Sequence, residues 1–315
     1  MDLLGDAIAA MRVGMAGSTR TDLRAPWGLR FDKVAGAGFH VVLQGSCWLL
    51  PSEGAPIALG PGDVVLLRSG RGHGLADDPA TPLAAFPSAR PVELQHDGSG
   101  ARTVLLCGAY HLDLARPHPL LRDLPDVVHL PTRLGHHASL RAAVDLLGSE
   151  LDTASPGAGA GVPALVDLLL LYILRAWFED RAADGHATGW AAALRDPSIR
   201  AALDAIHRDP GRPWTIAELG DRAGLSRAAF ARRFSAAVGR PPLAYLTWWR
   251  MTIAARQLLD TDARLGTVAA RVGYTSEFAF ARAFKREFAT APGRYRYLAG
   301  NPNTTPDRAA SSREA

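Results

Sequence analysis

Two arginines fifty positions apart, Arg232 and Arg282, sit in nearly the same local sequence, FARRF around the first and FARAF around the second. A guanidinium on the outward face of a helix can pair bidentately with guanine O6 and N7 in the major groove of DNA. Helical spacing supplies such a face. Phe280, Phe284 and Phe288 advance by about 40° per step and form one stripe that must be buried, while Phe278, Arg282 and Lys285 fall within about 60° of one another on the opposite side. In the first segment Phe230, Phe234 and Val238 make the stripe, and Ala228, Arg232 and Ser235 point outward. A second group offers different chemistry. His40, His73, Cys47 and Cys107 are of the types that zinc takes in a tetrahedral site. Cys107 and Cys47 could instead serve a redox-responsive site, Cys107 as an oxidisable thiol. The plain alternative for all four is two small core cysteines and two satisfied histidines.

The elements that must position the arginines form a repeat. IAELGDRAGLS followed by RAAFARRFSAAV matches LGTVAARVGYTS followed by EFAFARAFKREF, at an offset of 49 before the turn and 50 after it. Each copy reads as a short helix, a Gly-containing turn one residue longer in the second copy, a Ser at the N-cap, and a second helix. That is the helix-turn-helix plan. Backbone amides around Ser226 and Ser276 would add phosphate contacts. Residues 211–300 hold 15 Lys+Arg against 6 Asp+Glu, a net of +9 in a chain whose total is +4. A basic quarter on a mildly acidic remainder points to a polyanion partner for that quarter alone. Helical hairpins with merely solvated arginines are the competing reading; two copies in matched register weigh against it.

From about Ile199 to Tyr297 the chain resembles the arabinose-regulator (AraC/XylS) family of bacterial transcription factors. The resemblance is carried by WTIAELGDRAGLSRAAFARRFSAAVGRPPLAYLTWWRMTIAARQLL and VGYTSEFAFARAFKREFATAPGRYR. It implies two helix-turn-helix subdomains joined by one long helix, about Pro242 to Asp260, that read major-groove segments about 34 Å, or ~10 bp, apart. It also implies base contacts from the positions matching Ala228, Ala231 and Arg232 in the first copy and Glu277, Phe278 and Arg282 in the second. With the outward positions and helix starts added, the expected DNA-facing set is Arg227, Ala228, Ala231, Arg232, Ser235, Ser276, Glu277, Phe278, Arg282 and Lys285. Two alanines in the first triplet depart from a base-reading surface and leave that helix to shape and phosphate contacts. Phe278 either meets a thymine methyl or caps the local core.

Between Trp27 and Asp113 short β-type runs are broken by Gly, Pro and Asp: WGLRF, FHVVLQG, CWLLP, PIAL, DVVLL, VELQ and RTVLLCGAYHL. Such spacing predicts a compact sandwich or barrel. GPGDVVLLRSGRGH resembles the second cupin motif through Gly62, Gly70 and His73, with Arg68 where Pro would stand. FHVVLQGSCWLL resembles the end of the first cupin motif, but Gly38 occupies the place of its Glu and the paired His is missing. The resemblance implies a jelly roll without an iron or manganese dioxygenase site. Helices are expected at Ser139–Leu151 and, strongly apolar, from Val162 to about Glu179; Ser155–Gly161 reads as a loop and Asp180–Pro197 as a linker. His136 and His137, in HHASL, read as the surface of a helix start rather than as metal ligands.

The fold expected is a two-domain α+β one, with an N-terminal cupin-like β-barrel (jelly roll) plus helices and a C-terminal all-α tandem helix-turn-helix DNA-binding domain. Its boundaries are 1–133 for the cupin-like effector or sensor domain, 134–195 for a helical dimerisation and linker region, 196–298 for the DNA-binding domain and 299–315 for a disordered tail. Composition excludes wholesale disorder, since 315 residues at 48% hydrophobic can bury a core in each domain. The acidic start disfavours a secretory signal, the apolar run at Val162–Phe178 is interrupted and short for a bilayer, and two cysteines fit a reducing cytoplasm. The function expected is sequence-specific transcriptional regulation by a non-enzyme. Its partners are double-stranded promoter DNA, a second copy of the chain, RNA polymerase and a small-molecule or redox effector; zinc in the N-terminal domain is the cofactor to test. A metal-dependent cupin enzyme targeted to DNA is the alternative, and a nucleoid-type binder indifferent to sequence is a third.

Overall fold

The structure, a computed structural model, describes residues 2–11, 16–33, 36–68, 71–86, 99–112, 118–133, 135–153, 156–183 and 189–300. In chain order its elements are α1 (Leu3–Met11), β1 (Gly17–Arg24), β2 (Gly28–Phe31), β3 (Ala37–Gln44), β4 (Cys47–Pro51), β5 (Ile57–Leu59), β6 (Val64–Leu67), β7 (His73–Ala76), β8 (Ala84–Ala85), β9 (Arg102–Tyr110), α2 (Pro119–Asp123) and β10 (Val127–Leu130). Helices follow to the end: α3 (Ala138–Thr153), α4 (Ala158–Ala183), α5 (Gly189–Arg195), α6 (Pro197–Arg208), α7 (Ile216–Arg222), α8 (Arg227–Val238), α9 (Pro242–Asp260), α10 (Leu265–Arg271), α11 (Glu277–Phe288) and α12 (Pro292–Gly300). Two compact units divide the chain, Ala7–Ala192, and Ala193–Ala315 together with Met1–Asp6.

The first unit is a jelly-roll layout made of two sheets, ordered β1-β9-β3-β6-β10 and β5-β4-β7-β2-β8. The sheets share one core. Leu23, Val42, Val65 and Leu105 of the first meet Leu29, Leu49, Leu59 and Leu75 of the second, as alternate residues along each strand must if one face of each sheet is dry. α3 and α4 pair with each other and cover the β1 and β10 side. Tyr110 Oη of β9 donates to the Val166 carbonyl of α4 at 3.0 Å.

Several expectations need correction here. α4 is 26 residues long rather than ending near Glu179, which makes it long and apolar enough to cross a membrane by length and composition. Val166, Leu169, Leu170, Ile173, Leu174 and Trp177 are nevertheless buried within the unit. The expected linker at 180–197 is helical in its described parts: α4 continues to Ala183 and α5 buries Trp190 to 1% exposure, because an indole that large has apolar surface to hide. β1, β7 and β10 were not among the expected strands. VELQ, Gly70 and residues 301–315 of the expected tail lie outside the described residues.

In the second unit the repeat is explicit. Ser226 and Ser276 are the N-caps of α8 and α11, accepting from Ala229 N at 3.4 Å and Ala279 N at 3.3 Å. The turns before them span four residues in the first copy and five in the second. Each turn needs a glycine, Gly224 at φ +65° and Gly273 at φ +81°, where a Cβ is disfavoured. Phe230 and Phe234 are fully buried in the first copy and Phe280 and Phe284 in the second. The second pair packs on Met251 and Leu258 of α9 and Val268 of α10. α9 is the long connecting helix expected, and α12 closes the second copy with Tyr295 against Phe284 and Phe288.

Candidate nucleic-acid interface

The buried ridges fix what remains on the outer faces of α8 and α11. On α11, Ser276, Glu277, Phe278, Arg282 and Lys285 are all exposed, and Phe278 is 73% exposed. The Arg282 guanidinium lies 6.0 Å from the centre of the Phe278 ring, a cation–π distance that steadies both side chains on one surface. Phe278 therefore does not cap the local core. On α8, Arg227, Ala228 and Arg232 are exposed, while Ala231 and Ser235 are half-buried. The Ser235 hydroxyl donates to the Ala231 carbonyl at 2.7 Å, so its proton serves the helix itself. α8 thus presents two cations, Arg227 and Arg232, amid small residues, whereas α11 presents an aromatic, three cations (Arg282, Lys285 and Arg286) and a carboxylate.

Each outer helix begins with exposed residues, Arg227 and Ala228 on α8 and Glu277 and Phe278 on α11, and a serine whose oxygen is occupied by its own helix. That arrangement leaves the hydroxyl proton and the first amides for an anion. The first copy is also tied down in front of α7: Thr215 Oγ1 accepts from Glu218 N at 3.1 Å and the Glu218 carboxylate accepts from Thr215 N at 2.9 Å, a reciprocal capping box. Arg212 adds an ion pair to Glu218 at 2.9 Å. Arg212 and the Thr215 bonds together hold the Glu218 carboxyl down at about 2. α10 has no such box; Arg264 is its N-cap and makes no side-chain cap bond.

In the first unit the four His and Cys candidates separate into two places. His40 of β3 and His73 of β7 meet across the two sheets, Nε2 to Nε2 at 2.6 Å. Phe31 stacks on His73 with ring centres 4.9 Å apart, and Phe86 stacks on Phe31. His73 Nδ1 lies 3.0 Å from the Arg71 carbonyl, which can only accept, so Nδ1 carries the hydrogen of a neutral His73. Its Nε2 then accepts from His40 Nε2–H. His40 Nδ1 is left buried without a partner. Burial, then the neighbouring His73, holds His40 well below the ordinary histidine range, and burial lowers His73 against the pull of the Arg71 carbonyl.

The cysteines lie in the core between the sheets with Leu49, Leu105 and Leu59. Burial, then Asp63, pushes the Cys47 thiol up to about 12, and burial, then Cys47, pushes Cys107 up further. Burial of this kind favours the protonated thiol over the reactive thiolate. Among the described residues no three of His40, His73, Cys47 and Cys107 bring ligand atoms within 4.8 Å of one another. Adjacent strands did converge them on one inner face, as His40 opposite Cys107 shows, but the sulfur atoms are walled by leucines. Sequence reasoning missed Phe31 and Phe86; their wide separation from His73 gave no local signal.

Family comparison gives a cupin match over residues 2–179 and a helix-turn-helix domain match over residues 219–297. The chain is 35% identical over 300 residues to a protein described as an AraC-like transcription regulator in Streptomyces lividans, covering 94% of this chain and 98% of that one. It is 36% identical over 302 residues to one described in the same way in Streptomyces antibioticus, with 94% and 98% covered. It is 30% identical over 308 residues to the transcriptional regulator MtrA of Neisseria gonorrhoeae, with 95% and 99% covered.

Proposed function

The chain belongs to the AraC family of transcription regulators, and we propose that its α8 and α11 faces read two successive major-groove segments of promoter DNA while the cupin unit receives the controlling signal. The observation that carries this reading is the pairing of buried phenylalanine ridges with exposed Arg232 and Arg282 at the same helical position in two copies. α11 supplies most of the base-edge chemistry, with Arg282 toward guanine and Phe278 toward a thymine methyl. α8, with Ala228 and Ala231 beside Arg232, supplies close approach, shape and phosphate contacts.

The regulator acts in this reading as a cytoplasmic homodimer. Leu165, Leu168 and Tyr172 of α4 remain half-exposed, an apolar strip that a second copy can cover. An effector that binds one conformation of the cupin unit better than another needs a differential of only a few kcal/mol to change DNA occupancy. Contact with RNA polymerase would follow from where the operator lies. No catalytic role belongs to this reading: the enzyme alternative calls for a His and carboxylate ligand set, and Gly38 stands where that carboxylate would fall.

The test is mapping of the genomic fragments that the purified protein retains, followed by affinity measurements on one fragment across a salt series. A defined operator with log K falling by about 0.9 per phosphate neutralised supports the reading. Equal affinity for every fragment would replace it with a nucleoid-type binder, and salt-indifferent or absent binding would end it.

A further inference from the structure

The loop between β10 and α3 brings His136 and His137 to the end of α4. The α3–α4 hairpin is antiparallel, so the start of α3 lies by the last turns of α4, where Glu179 and Asp180 stand. His137 Nε2 is 3.0 Å from Asp180 Oδ1, and His137 Nδ1 is 3.4 Å from Glu179 Oε2. One ligand atom each from His136, His137 and Asp180 lies within 4.8 Å of the other two. The backbone at His137 is left-handed, φ +50°, an uncommon conformation for a residue with a Cβ.

We propose that His136, His137 Nε2 and Asp180 bind a divalent cation of the zinc class, with Glu179 as the positioning residue for His137. In a tetrahedral site with bonds of about 2.0–2.1 Å, neighbouring ligand atoms sit roughly 3.3 Å apart. The His137–Asp180 pair is already near that spacing, and His136 is exposed and free to rotate the rest of the way. Glu179 accepting from His137 Nδ1–H gives the carboxylate–histidine–metal relay that fixes the tautomer and raises ligand basicity. Imidazole with one carboxylate suits zinc, nickel or cobalt rather than calcium or magnesium, which take oxygen. Three protein ligands leave a fourth position open. Both histidines line a cavity of about 270 Å³ walled by Leu140, Arg141 and Val144, from which water or a small anion can complete the shell. The motif read as a helix-start surface because its carboxylates come 43 residues later. The proposal does not depend on whether the metal alters DNA binding.

The experiment uses untagged full-length protein stripped with a chelator and titrated with zinc against a chromophoric competitor, with cobalt as a spectroscopic stand-in. The expected result is one zinc per chain, a tetrahedral cobalt absorption band, and a zinc-dependent rise in melting temperature. Glu179→Gln weakens binding by about 10–100-fold, and His136→Ala with Asp180→Asn weakens it more, both proteins keeping their far-ultraviolet circular dichroism. His73→Ala leaves binding unchanged. Absence of stoichiometric zinc, binding indifferent to the His136→Ala, Asp180→Asn pair, or loss with His73→Ala instead would overturn the proposal.

Discussion

The two helix-turn-helix copies share a frame and differ in what they show to solvent. Both bury a phenylalanine pair, cap the outer helix with serine and turn at a left-handed glycine. The first copy spends its polar chemistry on itself, in the Thr215–Glu218 box, the Arg212 ion pair and the Ser235 back-bond. The second leaves Phe278, Arg282 and Lys285 outward and its α10 start without a side-chain cap. Duplication thus holds the frame constant while the surfaces diverge, as the proposed division between seating on the backbone of DNA and reading it requires.

The frame is the strongest place to break this comparison. Phe230→Ala and Phe280→Ala should each cost about 3–5 kcal/mol, read by chemical denaturation; a much smaller loss in one copy would show that its ridge does not hold the fold. The turns should differ next. A Cβ at Gly224 meets nothing, whereas one at Gly273 would lie 2.2 Å from the Gly211 carbonyl oxygen. Gly224→Ala should therefore cost only the left-handed strain of about 1–2 kcal/mol, and Gly273→Ala distinctly more.

The surfaces come third. Arg282→Ala should lose ~1–3 kcal/mol of operator affinity and relax one base pair, while Arg232→Ala should weaken operator and random DNA alike and reduce the salt slope by about one. Equal loss of specificity from both would erase the proposed division of labour. The smallest effect is acid. Because the folded Glu218 carboxyl is held down at about 2 from 4.5, its contribution is complete above 4.5 and lost as pH falls toward 2. Amide-exchange protection in α7, relative to the intrinsic rate at each pH, should fall over that window while that of α10 holds; the Glu218 side chain is 40% exposed, so the global melting temperature should barely move.

How much of this was legible depended on the range of the interactions. The phenylalanine ridges, serine caps and glycine turns are local, written within a dozen residues, and the structure has them where the spacing put them. β1 was missed because GSTRTDLR shows only weak alternation, and α12 because PGRYRYLAG opens on two helix breakers; β9 and the Phe284–Phe288 ridge supply what those segments lack. The cupin candidates depend on longer-range contacts. The strands did bring His40 beside Cys107 and His40 against His73, yet which groups face leucine and which face a partner is decided by residues far off in sequence. The carboxylates that meet His137 were hidden for the same reason.

The connecting helix α9 has a consequence for the promoter. Nineteen residues in one unbroken helix span about 28 Å at 1.5 Å per residue, so the copies are joined by a rod and not by a tether. A rod fixes phase. Adding about five base pairs between the two contacted segments would carry one of them to the far side of the duplex, and adding about ten would restore the facing but exceed the rod's reach. If both copies contact DNA as proposed, an operator for this chain should tolerate altered letters more readily than altered spacing.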